Sequence, residues 1–130
     1  NISTTKELCK KLRDEIIYRI LDRVPNTTLN GHPKRRLANN ANISFHGLEG
    51  ESILLGLDLA GISASSGSAC TSGSLEPSHV LLATGQSAEI AQSSVRFSLG
   101  YKNTKEDVDY LLSVIVPLVE KLRELSSVSV

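Results

Sequence analysis

Methionine and tryptophan are absent from this chain of 130 residues, and its only aromatics are three tyrosines and two phenylalanines. A core poor in large rings must be assembled from Leu, Ile, Val and Ala, through many small contacts. A translated reading frame opens with methionine, so the chain is expected to be a processed, proteolysed or truncated piece of a longer polypeptide. Net charge is lacking too, since fourteen basic residues balance fourteen acidic ones. Without a global field, neither nucleic acid nor an anionic membrane surface is an expected partner. The basic run Lys34-Arg35-Arg36 is short and reads as a solvated loop after His32-Pro33. No apolar run approaches transmembrane length, and Asn1-Ile2-Ser3-Thr4 opens neither a signal nor a transit peptide. Two cysteines, Cys9 and Cys70, make no disulfide framework. A reducing, cytoplasmic compartment fits that usage. His32, His46 and His79 fall at no metal-ligand spacing with them, so no metal is expected.

What is present is the ordinary patterning of one domain, residues 1–130, with about two-thirds of its unfolded surface to bury. Thr4 and Glu7 have the spacing of a capping box. Leu8, Leu12, Ile16, Ile20 and Val24 then repeat every fourth position, with Ile17 and Leu21 beside them, and Pro25 stops the helix. Thr27 to Leu29 suits a short strand, and Asn30-Gly31-His32-Pro33 a turn. Asn42 to His46 alternates, with Ile43 and Phe45 on one face and Asn42, Ser44 and His46 on the other. Glu49-Gly50-Glu51 opens a short helix through Ile53, Leu54, Leu57 and Ala60, closed by Gly61. Ile62 to Ala64 is extended. Pro77 suits the start of a helix running to Gly85, and Ala88 to Gln92 a second helical piece. Ser94 to Leu99 alternates again, with Val95, Phe97 and Leu99 opposite Arg96 and its flanking serines. Thr104 and Asp107 cap a final helix with Val108, Leu111, Leu112, Ile115, Val119 and Leu122 on its core face. Pro117 is expected to kink that helix, and Ser126 to Val130 to fray. The fold class expected is α+β, a two-layer arrangement with a small mixed or antiparallel sheet and helices packed on one face.

Two features carry chemistry. The stretch Ser65-Ser66-Gly67-Ser68-Ala69-Cys70-Thr71-Ser72-Gly73-Ser74 surrounds one thiol with nothing larger than threonine. A space-filling cysteine sits among Leu, Ile and Val. Here no side chain can anchor the segment, so loop 65–75 is expected to be flexible and Cys70 to be reached by solvent. That placement suits a nucleophile or sulfur carrier. The loop holds no Lys, Arg or His, leaving His79 and Arg96 as the neighbours in sequence that could activate the thiol. Arg96, a cation between two serines on a polar strand face, suits a two-pronged grip on a carboxylate; an ordinary surface arginine is the other reading.

The run from Ser65 through Cys70 to Ser74-Leu75-Glu76-Pro77-Ser78-His79-Val80-Leu81, followed by Ser93-Ser94-Val95-Arg96-Phe97-Ser98-Leu99-Gly100, closely resembles the C-terminal region of NifS/IscS-type cysteine desulfurases. Asn30-Gly31-His32 and Asn42-Ile43-Ser44-Phe45 fit the same family. Nearly the whole chain is covered, and its loop resembles the long-loop branch. The resemblance implies the small C-terminal domain of a fold-type I, class V aminotransferase-like enzyme, whose large domain holds pyridoxal phosphate. It implies that Cys70 attacks the sulfur of substrate L-cysteine and becomes a persulfide while alanine leaves, and that Arg96 binds the substrate carboxylate. A homodimeric parent, and iron–sulfur scaffold or other sulfur-acceptor proteins as partners, are implied in the same way.

The family's cofactor lysine, in its Ser/His/Lys-type motif, has no counterpart here, nor do the ring-stacking histidine and the aspartate that pairs with the pyridine nitrogen. The chain is therefore expected to bind no cofactor and to be inactive alone. A cofactor-free persulfide carrier or scaffold-docking module remains the alternative function, and an inert domain separated from its larger partner is the third reading.

Overall fold

The computed structural model describes residues 2–30, 40–67, 91–100 and 102–128, with side chains for 6–30, 40–67, 91–100 and 102–126. Strands β1 (Thr27–Leu29), β2 (Asn40–Phe45), β3 (Ser65–Ser66) and β4 (Ser94–Ser98) form one sheet in the order β1-β2-β4-β3. Every pairing is antiparallel, which decides between the mixed and antiparallel expectations among the described residues. Successive side chains alternate across a strand, so register sorts the sheet into two faces. Ala41 pairs with Phe97 and Ile43 with Val95 on one of them. These four, with Phe45 and Leu99, are buried in a single apolar cluster.

Three helices, α1 (Ile2–Arg23), α2 (Gly50–Leu59) and α3 (Lys105–Val128), cover that face. α1 contributes Leu12, Ile16, Ile17 and Ile20, α2 contributes Ile53 and Leu57, and α3 contributes Val108, Leu111, Leu112, Ile115 and Val119. The α+β reading with helices on one side of a small sheet is what the chain adopts. Its start is adjusted at α1. The helix begins at Ile2, placing Thr4 within its first turn instead of at its cap. Leu8 is also exposed while Cys9 is buried. The four-residue repeat drifts round a helix of 3.6 residues per turn, and at this end the inward position falls one residue later.

Helix ends elsewhere follow the capping rules. Gly61 stands at φ +81° after α2, a left-handed conformation that costs glycine nothing. Gly61 N–H donates to Asp58 O at 2.9 Å and Ile62 N–H to Leu57 O at 2.9 Å, a Schellman pair. At α3, Asp107 N–H donates to Thr104 Oγ1 at 3.3 Å and Thr104 N–H to Asp107 Oδ2 at 2.9 Å, a reciprocal capping box. These bonds hold the Asp107 carboxyl below its ordinary pKa, with the Thr104 amide as the larger cause and the Asn103 side chain as the next. α3 continues through Pro117 to Val128. β2 begins at Asn40, and His46 lies in the turn beyond its end.

Two cations fasten the layers. Arg19 on α1 bonds Glu15 Oε1 at 3.2 Å and Asp109 Oδ1 on α3 at 2.5 Å. Arg123 on α3 donates to the carbonyls of Pro25 at 2.5 Å, Asn26 at 3.0 Å and His46 at 3.1 Å. Burial lowers the Arg123 pKa. These contacts clamp the α1–β1 turn, where Asn26 adopts φ 57°, against the last turns of α3.

Candidate functional site

The sheet face turned away from the helices is polar, and the register lays it out in rows. Arg96 pairs with Asn42 on one side and Ser65 on the other. Asn30 extends that row, because its N–H donates to Asn42 O at 2.8 Å just beyond β1. The next row holds Thr28, Ser44 and Ser94, since Thr28 pairs with Ser44 and Ser44 with Ser94. It closes on Gly67, whose N–H donates to Ser94 O at 3.0 Å. Asn40 and Ser98 form a third row, joined at 2.9 Å.

Side chains knit the rows together. Asn30 Nδ2 lies 2.8 Å from Ser44 Oγ, 3.1 Å from Ser94 Oγ and 3.2 Å from Asn42 Oδ1. Ser44 and Ser94 share a bond of 2.9 Å. Asn42 Nδ2 donates to Gly67 O at 3.3 Å. Asn30 is only 2% exposed and both serines are fully buried, so these hydroxyls and amides need one another. Asn30 Oδ1 is the one buried side-chain acceptor left without a partner among the described residues. Asn30 thus continues the β1–β2 pairing, while Gly31, His32 and Pro33 of the expected turn lie outside the described residues. Its signal in the sequence was the pair of polar alternations at 42/44 and 94/96, which require a polar neighbour on the same face.

Arg96 is half-buried in the middle of this face. Its Nε donates to Ser65 Oγ at 3.2 Å, which fixes the guanidinium and leaves Nη1 and Nη2 without a protein acceptor among the described residues. A planar fork held at one nitrogen suits a carboxylate. His46 sits beyond β2, half-buried, and its Nε2 bonds Thr28 Oγ1, so it serves the β1–β2 edge.

Cys70 and His79 lie outside the described residues, as do most of loop 65–75 and the helix expected from Pro77 to Gly85. The loop's first residues are described and differ from expectation. Ser65 and Ser66 form β3 on the sheet edge, and Gly67 continues the pairing. Small side chains permit that placement. A Cβ on Gly67 would collide with Asn42 Oδ1 and would lie 2.5 Å from Ser94 Cβ. Cys70 follows Gly67 by three residues in the sequence. Ala91 and Gln92 are helical, in line with the helical piece expected there.

Cys9, the other cysteine, is 7% exposed and packed in α1. The described residues do not compose a pyridoxal phosphate site. Lys6, Lys10 and Lys11 on α1, Lys105 and Lys121 on α3, and Lys102 just before it are all exposed, and none stands on the polar sheet face. Among the described residues, no group of three His, Cys, Asp or Glu could hold a metal, and no helix is long and apolar enough to cross a membrane.

Residues 2–111 match the family model described as aminotransferase class-V. The chain is 57% identical over 116 residues to the cysteine desulfurase IscS of Methanosarcina thermophila, covering 89% of this chain and 28% of that protein. It is 50% identical over 129 residues to the cysteine desulfurase IscS of Clostridium botulinum, covering 97% and 32% respectively. Among solved structures, a NifS-like protein from Rickettsia africae superposes with a TM-score of 0.77 at 30% identity, over 92% of this chain and 30% of that one. The chain thus spans between 28% and 32% of the length of these relatives.

Proposed function

We propose that this chain, which belongs to the aminotransferase class-V family, is the thiol-bearing part of a cysteine desulfurase. Its share of the reaction is to grip the substrate carboxylate at Arg96 and to accept the substrate's sulfur at Cys70. The single observation that carries this reading is the pairing of β3 with β4. It sets the stem of the Cys70 segment beside a guanidinium whose Nη1 and Nη2 have no acceptor among the described residues.

The chemistry balances without an external oxidant. L-cysteine and the Cys70 thiol give L-alanine and a Cys70 persulfide. The substrate's C–S bond breaks, an S–S bond forms, and a proton replaces sulfur on carbon. Sulfur is oxidised to the sulfane level while the carbon is reduced. Pyridoxal phosphate, the cofactor of this family in general, is assigned to a part of the protein that this chain does not supply. The Ser/His/Lys-type motif that anchors it has no counterpart in this sequence, so the chain alone is expected not to turn over cysteine. Handing the sulfur on, to an iron–sulfur scaffold or another acceptor, is the role that follows for a loaded thiol.

The parts present do defined work. Arg96, steadied by Ser65, fixes the carboxylate end of the substrate, so the sulfur is presented from a constant distance. Cys70 hangs from a stem bonded to the same strand, and a chain of small residues beyond Gly67 offers no side-chain bulk to obstruct its approach. In the full-length protein, Cys70→Ser is expected to abolish release of alanine from cysteine. Alanine release that survives this substitution would remove the role given to Cys70.

A further inference from the structure

One residue touches both halves of this arrangement. Asn42 lies directly across from Arg96 in the β2–β4 register, where paired Cα atoms are roughly 4.5–5.5 Å apart. Its Nδ2 donates to Gly67 O at 3.3 Å, and its Oδ1 lies 3.2 Å from Asn30 Nδ2. The amide is thus held at one end by a buried asparagine and at the other holds the backbone at the exit of β3. Gly67 has no room for a Cβ because Asn42 Oδ1 and Ser94 Cβ occupy that space. β3 itself is only two residues long and, among the described residues, pairs with β4 alone. A two-residue edge strand has little backbone pairing to define where it ends. The side-chain bond from Asn42 crosses over β4 and supplies a second attachment from β2.

From this we infer that Asn42, seated on Asn30, is a positioning residue for sulfur transfer: it fixes the point at which the chain leaves the sheet after Gly67, and does so beside Arg96 without occupying its Nη1 or Nη2. An amide suits that place for a reason of charge. It donates to a carbonyl while remaining neutral opposite the guanidinium. An aspartate of the same shape could not donate to Gly67 O, and it would offer Arg96 a carboxylate in competition with the substrate's. An alanine would release the stem and leave Arg96 untouched. The inference rests on the desulfurase reading, and it assigns the two effects to different kinetic constants.

The test uses the full-length protein, measuring alanine formed from L-cysteine under reductant. Asn42→Ala is expected to lower kcat by roughly ten- to a hundredfold, as a misplaced reacting group does, with KM for cysteine changed less than about twofold. Asn42→Asp is expected to raise KM roughly tenfold as well, through the charge placed across from Arg96. Gly67→Ala should resemble Asn42→Ala. The double variant should then lose less than the product of the two single losses, because both disturb one contact. Circular dichroism and thermal melting of the same preparations report folding. Equal changes in kcat and KM across the two Asn42 variants, or kcat unchanged in a folded Asn42→Ala protein, would overturn the inference. A wild-type protein that forms no alanine, or one in which Cys70→Ser remains active, would overturn the desulfurase reading instead. The outcomes therefore separate the two claims.

Discussion

A guanidinium steadied by one serine, with two nitrogens that find no acceptor among the described residues, differs from a lysine ammonium in shape more than in charge. Arg96→Lys keeps a cation on β4 but removes both the Nε bond to Ser65 and the fork. KM for cysteine in the full-length protein is expected to rise roughly tenfold or more, the cost of about one charge-assisted hydrogen bond. An unchanged KM would remove Arg96 from the carboxylate. At this scale the sequence was only partly legible. Arg96 and Cys70 stood out because each was chemically unlike its neighbours. Asn30 did not, because Asn-Gly-His-Pro is turn chemistry and nothing local shows that Asn30 is buried against Ser44 and Ser94. Those partners are 14 and 64 residues away, and only strand register brings them together. Leu8 and Cys9 exchanged places for a smaller reason: a strict four-residue spacing cannot follow a 3.6-residue helix for four steps.

Elements were more legible where local signals and packing agreed. The Thr104–Asp107 box and the Gly61 closure were readable as spacing alone and are present as bonds. Thr104→Ala is expected to cost about 1 kcal/mol of stability, measurable by urea unfolding. Asp107 adds a pH signature. Its folded-state pKa is lowered, so its stabilisation is complete above the ordinary carboxylate pKa and is lost as the pH falls through the lowered value. Asp107→Asn should accordingly flatten the acid side of the stability profile; a profile with the same acid slope as wild type would discount the cap. α2 is set against β4 by a missing side chain. A Cβ on Gly50 would stand 2.6 Å from Ser94 O, a backbone atom. Gly50→Ala is expected to cost about 1–3 kcal/mol by overpacking, read as a lowered urea midpoint. β3 was the element least legible. Two serines in a run of small residues have no alternation to display, and their place in the sheet comes from pairing with β4.

Over the whole molecule, composition and structure correspond closely. Leu, Ile and Val from three helices, with Phe45 and Phe97, fill one side of the sheet. Charge appears as fasteners, Arg19 to Asp109 and Arg123 to three carbonyls, consistent with a chain of no net charge. Among the described residues, the opposite face is given to amides, hydroxyls and one arginine, and it carries the stem of the cysteine segment. Such a division gathers the polar side chains on one face while the helical face supplies stability. The central claim is that sulfur taken from cysteine comes to rest on Cys70, and mass spectrometry tests it most directly. Full-length protein mixed with L-cysteine without reductant should carry one additional sulfur atom on the peptide containing Cys70, removable by dithiothreitol and absent from Cys70→Ser. Sulfur found on Cys9 instead, or alanine formed with Cys70 unmodified throughout, would contradict it.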